Sequence, residues 1–396
     1  MQRDNNIPKG YKPSSLGPIP NDWDIKRIGE VCSTFRSGQG ITSERIFDDG
    51  DFAVYGGNGL RGYTNNFTHE GNYLLIGRQG ALCGNIILIH GKNYVSEHAI
   101  AVQANDENDL LFLGYKLDFL NLNRYSESSA QPGLSVEKLV RLRIALPQIK
   151  EQTAIANLLN TWDKAINTLT QLIAQKELRK KWLMQQLLTG KKRLRGFSKA
   201  WKEVRLREIF NEISDVNDGA DTHSVMTISS RIGFISQEDK FDRVIAGDSL
   251  KKYTQLKRND FAYNKGNSKT YQMGCIYQLE EKESALVPFV YICFSPTELV
   301  DPKFYKHWFL AHGLDRQLNR IITSGARGDG LLNVNTDDFF GLKVPHPPKE
   351  EQTAIATLLQ TADAELNLLR QKLDKLKEQK KGLMQVLLTG KKRLKF

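Results

Sequence analysis

Two stretches of the chain carry apolar residues in a heptad pattern, which predicts two long helices that pack together. The apolar columns of the first stretch hold Ile155, Leu159, Trp162, Ile166, Leu169, Ile173, Leu183 and Leu187. Those of the second hold Ile355, Leu359, Leu366, Leu369, Leu373, Leu376, Leu383 and Leu387. Lys176, Lys180 and Lys380 interrupt the columns. A polar residue in such a seam tends to fix register or partner at some cost in stability.

Prolines and glycines mark the predicted ends of these helices. Pro147 precedes the first helix and Pro347 the second, and proline is favoured at helix starts because it lacks the amide that a helix interior needs. Gly190 and Gly390 mark the ends, since glycine readily adopts the left-handed conformation that closes a helix. The basic residues after each glycine either neutralise the dipole at the helix C-terminus or contact the backbone of a polyanion.

The rest of the sequence predicts two mixed α/β domains. Short β-rich runs, bounded by clusters of Gly, Asn, Asp and Ser, occur at residues 73–76, 85–89, 225–228, 261–263 and 287–294. Helical patterns are fewer, and the best candidates are residues 110–123 and 302–322.

The two helical stretches are copies of each other. About 26 of 44 positions are identical when residues 151–194 are aligned with residues 351–394. A weaker repeat opens the two other segments, where Trp23 corresponds to Trp201. A long period that occurs only twice argues against a solenoid and for a pseudo-two-fold molecule.

These patterns divide the chain into four segments. Residues 1–147 hold an N-terminal segment and a first α/β domain, and residues 148–195 hold the first long helix. Residues 196–347 form a second α/β domain, and residues 348–396 form the second long helix. The predicted fold class is therefore α/β, with two mixed α/β domains separated by two long helices.

The net charge of +11 lies in the two helical segments. Residues 151–195 carry 9 positive and 3 negative side chains, and residues 351–396 carry 10 and 5. The other two segments are neutral, with 16 charges of each sign in residues 1–150 and 21 of each in residues 196–350. A confined positive excess attracts a polyanion or an acidic partner surface, and a solvated helix face is the alternative.

Composition excludes the disordered and membrane classes. With 40% hydrophobic and 26% charged residues, the chain can bury sizeable cores. The longest nearly apolar run, residues 285–294, is far shorter than the roughly 20 residues of a membrane span. The N-terminus lacks the apolar region of a signal peptide, so we expect a cytoplasmic protein that does not bind a membrane.

Cysteines and histidines do not form a metal-binding pattern in the sequence. His307 and His312 are five residues apart and do not share a helix face, so we expect packing or surface roles. The cysteines are widely scattered, which favours buried thiols over a metal site. They are Cys32, Cys83, Cys275 and Cys293.

Two partial catalytic motifs are weak. Residues 57–62 fit a GxGxxG pattern, but no helix follows them, so a turn is favoured over a dinucleotide site. Asp22, Asp24 and Lys26 echo a nuclease carboxylate set, but no acidic partner precedes them. The sequence contains no complete nuclease, methylase or nucleotide-binding motif.

The chain resembles the specificity subunits of type I restriction–modification systems over nearly its full length. The resemblance rests on an N-terminal motif with Leu16-Gly17, Ile19-Pro20 and Asp22-Trp23. It also rests on a helix, present twice, that begins Glu-Gln-x-x-Ile-Ala and ends Leu-Leu-Thr-Gly. The resemblance implies two target-recognition domains held apart by an antiparallel coiled coil, each reading one half of a split, asymmetric DNA site.

The resemblance also implies a chain that is not itself a catalyst. Methyl transfer to adenine and DNA cleavage belong to partner subunits, with S-adenosylmethionine bound on the partner methyltransferase and no cofactor on this chain. The implied partners are double-stranded DNA and two methyltransferase subunits docked on the helix pair. Restriction subunits are a further option that the sequence leaves open.

Polar, glycine-containing loops supply the candidate DNA-reading residues. Base edges are read by Arg or Lys at guanine and by Asn or Gln at adenine, from loops that a rigid scaffold positions. The candidates in the first domain are Arg36, Gln39, Arg78, Gln79 and Gln131. Those in the second domain are Arg231, Asn264, Lys265, Asn267, Lys269 and Arg327. Taken alone, each of them is better explained as part of an ordinary surface loop, whereas the set as a whole favours recognition, because loops positioned by a scaffold usually carry it.

Two other function classes stay open. A self-sufficient DNA-modifying enzyme would need a complete catalytic motif, which the sequence lacks. A protein-interaction scaffold would explain the duplicated helices but not the composition of the loops. Several helix residues fit either the seam or a partner surface, and we expect them in the seam. They are Ile173, Leu178, Leu183, Leu373 and Leu383.

Overall fold

The computed structural model describes residues 7–80, 82–126, 133–217, 219, 224–230, 232–241, 247–266, 271–322 and 332–394. The chain forms two compact units. Unit 1 combines Met1–Thr170 with Gln371–Phe396, and unit 2 is Gln171–Arg370. Each unit therefore contains one α/β domain and parts of both long helical segments. The division of the chain into four segments stays a prediction.

Unit 1 is built on two four-stranded sheets. Its strands are β1 (Tyr11–Lys12), β2 (Ile19–Pro20), β3 (Asp24–Arg27), β4 (Cys32–Ser37), β5 (Phe52–Gly56), β6 (Gly59–Thr64), β7 (His69–Glu70), β8 (Tyr73–Gly77), β9 (Ile86–Ile89), β10 (Lys92–Val95), β11 (Ala99–Ala104) and β12 (Arg143–Leu146). Its helices are α1 (Leu110–Phe119), α2 (Val136–Val140) and the first part of α3 (Ile149–Leu187), and the last part of the second long helix also belongs to this unit. The sheet orders are β4-β11-β8-β9 and β6-β5-β10-β7, and β3 pairs with β12.

Unit 2 has the same sheet plan. Its strands are β13 (Lys202–Arg205), β14 (Phe210–Glu212), β15 (Ser224–Ser229), β16 (Gly233–Ser236), β17 (Thr254–Lys257), β18 (Phe261–Asn264), β19 (Cys275–Gln278), β20 (Ser284–Val287), β21 (Ile292–Pro296) and β22 (Lys343–His346). Its helices are α4 (Leu206–Ile209), α5 (Gln237–Phe241), α6 (Pro302–Leu310), α7 (Asp315–Ile321), α8 (Thr336–Gly341), the first part of α9 (Lys349–Leu387) and the last part of α3. The sheet orders are β14-β21-β18-β19 and β16-β15-β20-β17, and β13 pairs with β22.

The two α/β domains are thus repeats of one topology. In each, the second sheet contains one parallel pair, β5 with β10 and β15 with β20, among otherwise antiparallel pairings. Each first sheet is covered by a helix that an aspartate caps, Asp109 for α1 and Asp301 for α6. An aspartate at this position accepts hydrogen bonds from helix amides that lack a partner within the helix. The prediction of a mixed α/β fold with two repeated domains and two long helices is confirmed.

Both long helices contain 39 residues and carry the predicted apolar columns inward. All side chains of the two predicted apolar columns are buried or half-buried. In unit 1, Ile155 and Leu159 of α3 join one core with Leu387 of α9. In unit 2, Ile355 of α9 likewise joins a core with Leu187 of α3. The beginning of one helix therefore packs beside the end of the other in each unit.

One expectation about the helices is wrong. Leu178 is 68% exposed, because it lies off the two apolar columns, and it does not contribute to a buried seam. Trp182, one turn further along α3, is also 45% exposed.

The lysines that interrupt the heptad columns have carboxylate partners on the other helix. In unit 2, Lys180 pairs with Asp363, and Lys176 lies 2.5 Å from the Glu365 carboxylate. In unit 1, Lys380 pairs with Asp163 at 2.6 Å. Since a half-buried ammonium group needs a compensating charge, these pairs explain how the seam accommodates lysine.

A buried carboxylate joins the end of one long helix to the beginning of the other in unit 1. Glu151, in the first turn of α3, is 4% exposed. Arg393, just beyond α9, donates two hydrogen bonds to it, at 2.6 and 2.7 Å. The Trp23 indole donates a third, at 3.2 Å. Arg393 also donates two bonds of 2.7 Å to Asp22, so that this carboxylate is held by a structural partner.

Unit 2 repeats the arrangement with its own residues. Glu351 is fully buried and accepts two bonds of 2.6 Å from Arg193 and one of 2.9 Å from the Trp201 indole. Here Arg193 donates to the Lys199 carbonyl oxygen at 2.7 Å, which replaces the second carboxylate of unit 1. We call each set the carboxylate clamp. The arginine after each helix therefore has a structural role in the clamp, which explains its presence without helix-dipole neutralisation or DNA contact.

The residue after the clamp glutamate fixes the α/β domain to the same helix. In unit 1, the Gln152 side chain accepts from the Asp109 amide at 2.9 Å and donates to the Pro147 carbonyl oxygen at 2.9 Å. Gln352 makes the matching bonds in unit 2, at 2.8 and 2.9 Å, to Asp301 and Pro347. The Glu-Gln pair that begins each long helix therefore has a structural role.

We predict that Arg193→Met destabilises the protein by about 3 kcal/mol, because it leaves the Glu351 carboxylate buried without its charged partner. The unfolding free energy, measured in urea, reports the change. Lys191→Met is the control, since Lys191 is exposed and its loss should cost less than about 0.5 kcal/mol. Equal unfolding free energies for the two variants would contradict the role of the clamp.

A second repeated position differs between the units. In unit 1, the Tyr115 hydroxyl donates to Asp163 at 2.6 Å. The corresponding residue of unit 2 is His307, which is 1% exposed and lies 4.0 Å from Asp363. Neither ring nitrogen of His307 has a hydrogen-bond partner among the described residues. Burial lowers the pKa of His307 to about 4, although the negative charge of Asp363 acts to raise it.

We predict that the stability of the protein falls between about pH 6.5 and pH 4 because of His307. The unfolded chain takes up a proton near the ordinary histidine pKa, whereas the folded chain resists protonation until about pH 4. The variant His307→Phe lacks this titration, so its unfolding free energy should depend less on pH across the same window. Parallel pH curves for the two proteins would refute the prediction.

Candidate nucleic-acid interface

Glycines bring three loops of unit 1 together by close backbone approach. A Cβ atom at Gly38 would lie 2.2 Å from the Val95 carbonyl oxygen, and one at Gly57 would lie 2.8 Å from the His98 carbonyl oxygen. A Cβ atom at Gly77 would in turn lie 2.5 Å from the Gly57 carbonyl oxygen. Only a residue without a side chain fits such contacts. The loops after β4, β5 and β8 therefore meet the connection between β10 and β11.

Backbone hydrogen bonds lock these loops in place. The Gln39 amide donates to the Val95 carbonyl oxygen at 2.9 Å, and the Arg78 amide donates to that of His98 at 2.9 Å. The Arg78 carbonyl oxygen accepts from the Leu134 amide at 2.9 Å, which ties the loop to the segment that precedes α2. The predicted candidates Gln39, Arg78 and Gln79 thus lie in one interlocked loop cluster.

A polar groove lies on this loop cluster. Its lining residues are Gly57, Asn58, Arg61, Gln79, Gly80, His98 and Gly133. His98 Nδ1 lies 2.9 Å from Gln79 Oε1, and His98 Nε2 lies 3.2 Å from a Glu97 carboxylate oxygen. Asn58 and Arg61 are exposed and provide further hydrogen-bond donors at the groove. The groove therefore combines a cation, two amides and an imidazole, which suits polar recognition of base edges or phosphates.

Sequence reasoning missed three of these groove residues. Asn58 and Arg61 lie in the 57–62 run, which forms the tight turn between β5 and β6 and the first part of β6, so the expectation of a turn is confirmed. The sequence feature that could have identified Asn58 and Arg61 as groove residues is their polar character in a glycine-rich turn. His98 carried no signal of its own, because its position depends on which loops the glycines bring together.

Arg36 lies apart from the groove lining. It is exposed in β4, opposite Ala101 in register, and its positive charge helps to lower the pKa of His69 after the larger effect of burial. Ser37, its neighbour, points to the other side of the sheet and lines an adjacent depression with Arg78 and Gln79.

Unit 2 places a basic residue at the equivalent position. Lys265 follows β18 as Arg78 follows β8, and both strands are third in their sheet orders. The Lys265 carbonyl oxygen accepts from the Leu332 amide at 2.9 Å, just as that of Arg78 accepts from Leu134. Asn264 uses its side-chain oxygen to accept from the Gly266 amide at 2.9 Å, which shapes the turn.

The remaining candidates lie outside the described residues. They are Gln131, Arg231, Asn267, Lys269 and Arg327. Their roles stay predictions.

Other chemistry is limited in the described part of the chain. Burial raises the pKa of the Cys275 thiol to about 11 and that of the Cys293 thiol to about 12, so both stay protonated at neutral pH. The described ranges contain no group of three or more His, Cys, Asp or Glu side chains arranged to hold a metal ion. Among these same residues, no helix is both long and apolar enough to cross a lipid bilayer.

A family model described as the type I restriction modification DNA specificity domain matches residues 20–178 and again residues 198–378. The chain belongs to this family. The two matches correspond to the two copies of the α/β domain with its following helix.

Relatives of the type I specificity family align with parts or nearly all of the chain. The EcoprrI specificity subunit of Escherichia coli is 39% identical over 151 residues, which is 37% of this chain and only 37% of that protein. The MjaVIII specificity subunit of Methanocaldococcus jannaschii is 24% identical over 95% of this chain and 94% of its own length.

Solved structures share the fold. The S subunit of a type I restriction–modification system from M. genitalium superimposes with a TM-score of 0.61 and 17% identity, covering 98% of both chains. A second solved chain gives a TM-score of 0.55 at 14% identity. It comes from a study of the structural basis of complex assembly and conformational transition in the type I R-M system. It covers 94% of this chain and 99% of that one. At these identities the likeness concerns the fold alone.

We predict that Gly57→Ala destabilises unit 1 by about 1–3 kcal/mol, because the added methyl group overlaps the His98 carbonyl oxygen and forces the loops apart. Amide hydrogen exchange at Arg78, together with urea unfolding, measures the disturbance. Gly40→Ala is the control, since a Cβ atom there meets nothing within 4 Å. Unchanged protection at Arg78 in the Gly57 variant would mean that the close approach is not required.

Proposed function

We propose that the chain is the DNA-specificity subunit of a type I restriction–modification complex, with each unit reading one half of a split, asymmetric site. The observation that carries the proposal is the repeated topology with different loops. Both units place a basic residue, Arg78 or Lys265, after the equivalent central strand and lock it to the segment before the next helix. Two similar scaffolds with unlike side chains suit two unlike half-sites.

Local groups, and not the overall charge, supply the DNA contacts in this proposal. The α/β segments have no net charge, so phosphate binding falls to individual side chains such as Arg61 and Arg78. Gln39, Gln79 and Asn264 are base-reading candidates because amides match the adenine edge. Arg36 and the candidates outside the described residues remain in the proposed interface.

The helix pair sets the spacing between the half-sites in the proposal. We infer an antiparallel coiled coil and a pseudo-two-fold relation between the units, supported by contacts inside each unit. The clamp of unit 1 joins Arg393 to Glu151, and that of unit 2 joins Arg193 to Glu351. A coiled coil of this kind keeps the gap between half-sites constant.

Catalysis belongs to partners in this proposal. Two methyltransferase subunits dock on the helix pair and bind S-adenosylmethionine, and restriction subunits join when DNA is cleaved. Exposed apolar side chains on the helices, among them Leu178 and Leu368, support a protein-docking surface because such groups favour burial. The complex acts on DNA in the cytoplasm. No observation favours a self-sufficient enzyme or a scaffold that does not bind DNA.

We predict that methyl-adenine appears at a split motif in host DNA only when this chain is expressed with its methyltransferase. Modification-sensitive sequencing of cells with and without the chain measures this. Purified complex should also bind that motif less tightly as salt rises, since phosphate contacts release counterions. If the methyltransferase copurifies with this chain but no methylated motif depends on the chain, the specificity role is rejected and the scaffold is favoured.

A further inference from the structure

Two groove side chains of unit 1, His98 and Gln79, are connected in series with the neighbouring Glu97. His98 lies between Glu97 and Gln79, with Nε2 3.2 Å from the Glu97 carboxylate and Nδ1 2.9 Å from the Gln79 amide oxygen. The second oxygen of Glu97 is buried and has no hydrogen-bond partner among the described residues. Glu97 therefore directs its side-chain contact to His98, and both ring nitrogens of His98 face oxygen atoms.

The backbone holds all three residues at fixed positions. The Glu97 amide donates to the Gln39 carbonyl oxygen at 3.1 Å, and the His98 carbonyl oxygen accepts from the Arg78 amide at 2.9 Å. The series thus connects two loops that are already joined through their main chains. The contact between the Gln79 amide oxygen and the His98 ring favours one orientation of the Gln79 side chain.

An amide held in this way is prepared to read a base. A free glutamine side chain loses up to about 2 kcal/mol of conformational entropy when it becomes ordered, and ordering it in advance removes that cost from binding. The Gln79 oxygen has two lone pairs, of which His98 faces one. The second lone pair and the two N–H groups remain, and they match the N6 donor and the N7 acceptor of adenine in the major groove.

We propose that Gln79 is the adenine-reading residue of unit 1 and that His98 and Glu97 are positioning residues that hold its amide in the reading orientation. This inference rests on the proposed function, since it assumes that the groove meets DNA. His98 and Glu97 act through Gln79 and do not themselves determine the base.

The series is specific to unit 1. The connection between β20 and β21 in unit 2 corresponds to that between β10 and β11, and it carries Pro288, Phe289 and Tyr291 in place of the acidic and imidazole groups. Phe289 is 54% exposed. The effect of disrupting the series should therefore be limited to one half-site.

The chain provides a matched control at the opposite end of strand β8. There, His90 Nδ1 lies 2.8 Å from the Asn72 side-chain oxygen, which is the same kind of histidine–amide contact between exposed residues. His90→Ala removes this contact without touching the groove. Comparing it with His98→Ala separates loss of positioning from general loss of a surface hydrogen bond.

The experiment uses the full chain assembled with its methyltransferase and a DNA library in which both half-sites are randomised. Binding preferences are read by sequencing the bound fraction for wild type, His98→Ala, Gln79→Glu and His90→Ala. His98→Ala should reduce discrimination at one adenine of one half-site at least tenfold. Gln79→Glu should lose the adenine preference at that position, because a carboxylate cannot donate to N7. His90→Ala should match wild type at every position.

Several results would overturn the inference. If wild type selects a split motif and the His98 and Gln79 variants select the same motif with equal discrimination, the specificity role stands and the reading series is rejected. A change at a base other than adenine, or at both half-sites, also rejects it. If wild type selects no motif, the proposed function fails first. Unfolding curves confirm that each variant is folded, and His98→Gln serves as a second variant if His98→Ala is not.

Discussion

A buried carboxylate in the first turn of each long helix determines how the rest of each unit is assembled. Glu151 and Glu351 lie where water cannot solvate them, so each needs hydrogen bonds from fixed donors. The donors come from an arginine beyond the end of the other helix and from a tryptophan before the α/β domain. One ionised group thus ties together both helices and the entry into the domain, and the adjacent glutamine extends that tie to helix α1 or α6.

The long helices were predictable because their signal is local and repeated. Heptad columns, prolines and glycines predicted their position, and the internal repeat predicted that two domains alternate with them. The clamp was not predictable from these signals. Arg193 and Arg393 stand in basic runs that resemble solvated or DNA-binding ends, and only the tertiary fold brings them to Glu351 and Glu151. The prediction that Leu178 lies in the seam was wrong because an apolar residue next to a heptad column is easily included in that column.

The common topology of the two α/β domains was only partly visible in the sequence. Strand runs were recognised, but the two segments share few residues, since a sheet tolerates many apolar side chains at the same positions. The groove shows the same limit. Gln79 and Arg78 were predicted from the composition of their loop, whereas His98 became visible only through the contacts made by Gly57. Loop chemistry is local, but the proximity of loops depends on the whole sheet.

The discontinuity of unit 1 has a consequence for how the chain is synthesised. Residues 371–396 complete a unit whose other residues are made first, and the Tyr11 hydroxyl bonds the carbonyl oxygen of Gly390 at 2.7 Å, 379 positions along the chain. Unit 2 is continuous in sequence. The α/β domain of unit 1, although translated earlier, therefore reaches its final contacts only after residues 371–396 have been made. The unit that is begun first thus depends on residues that are translated after all of unit 2.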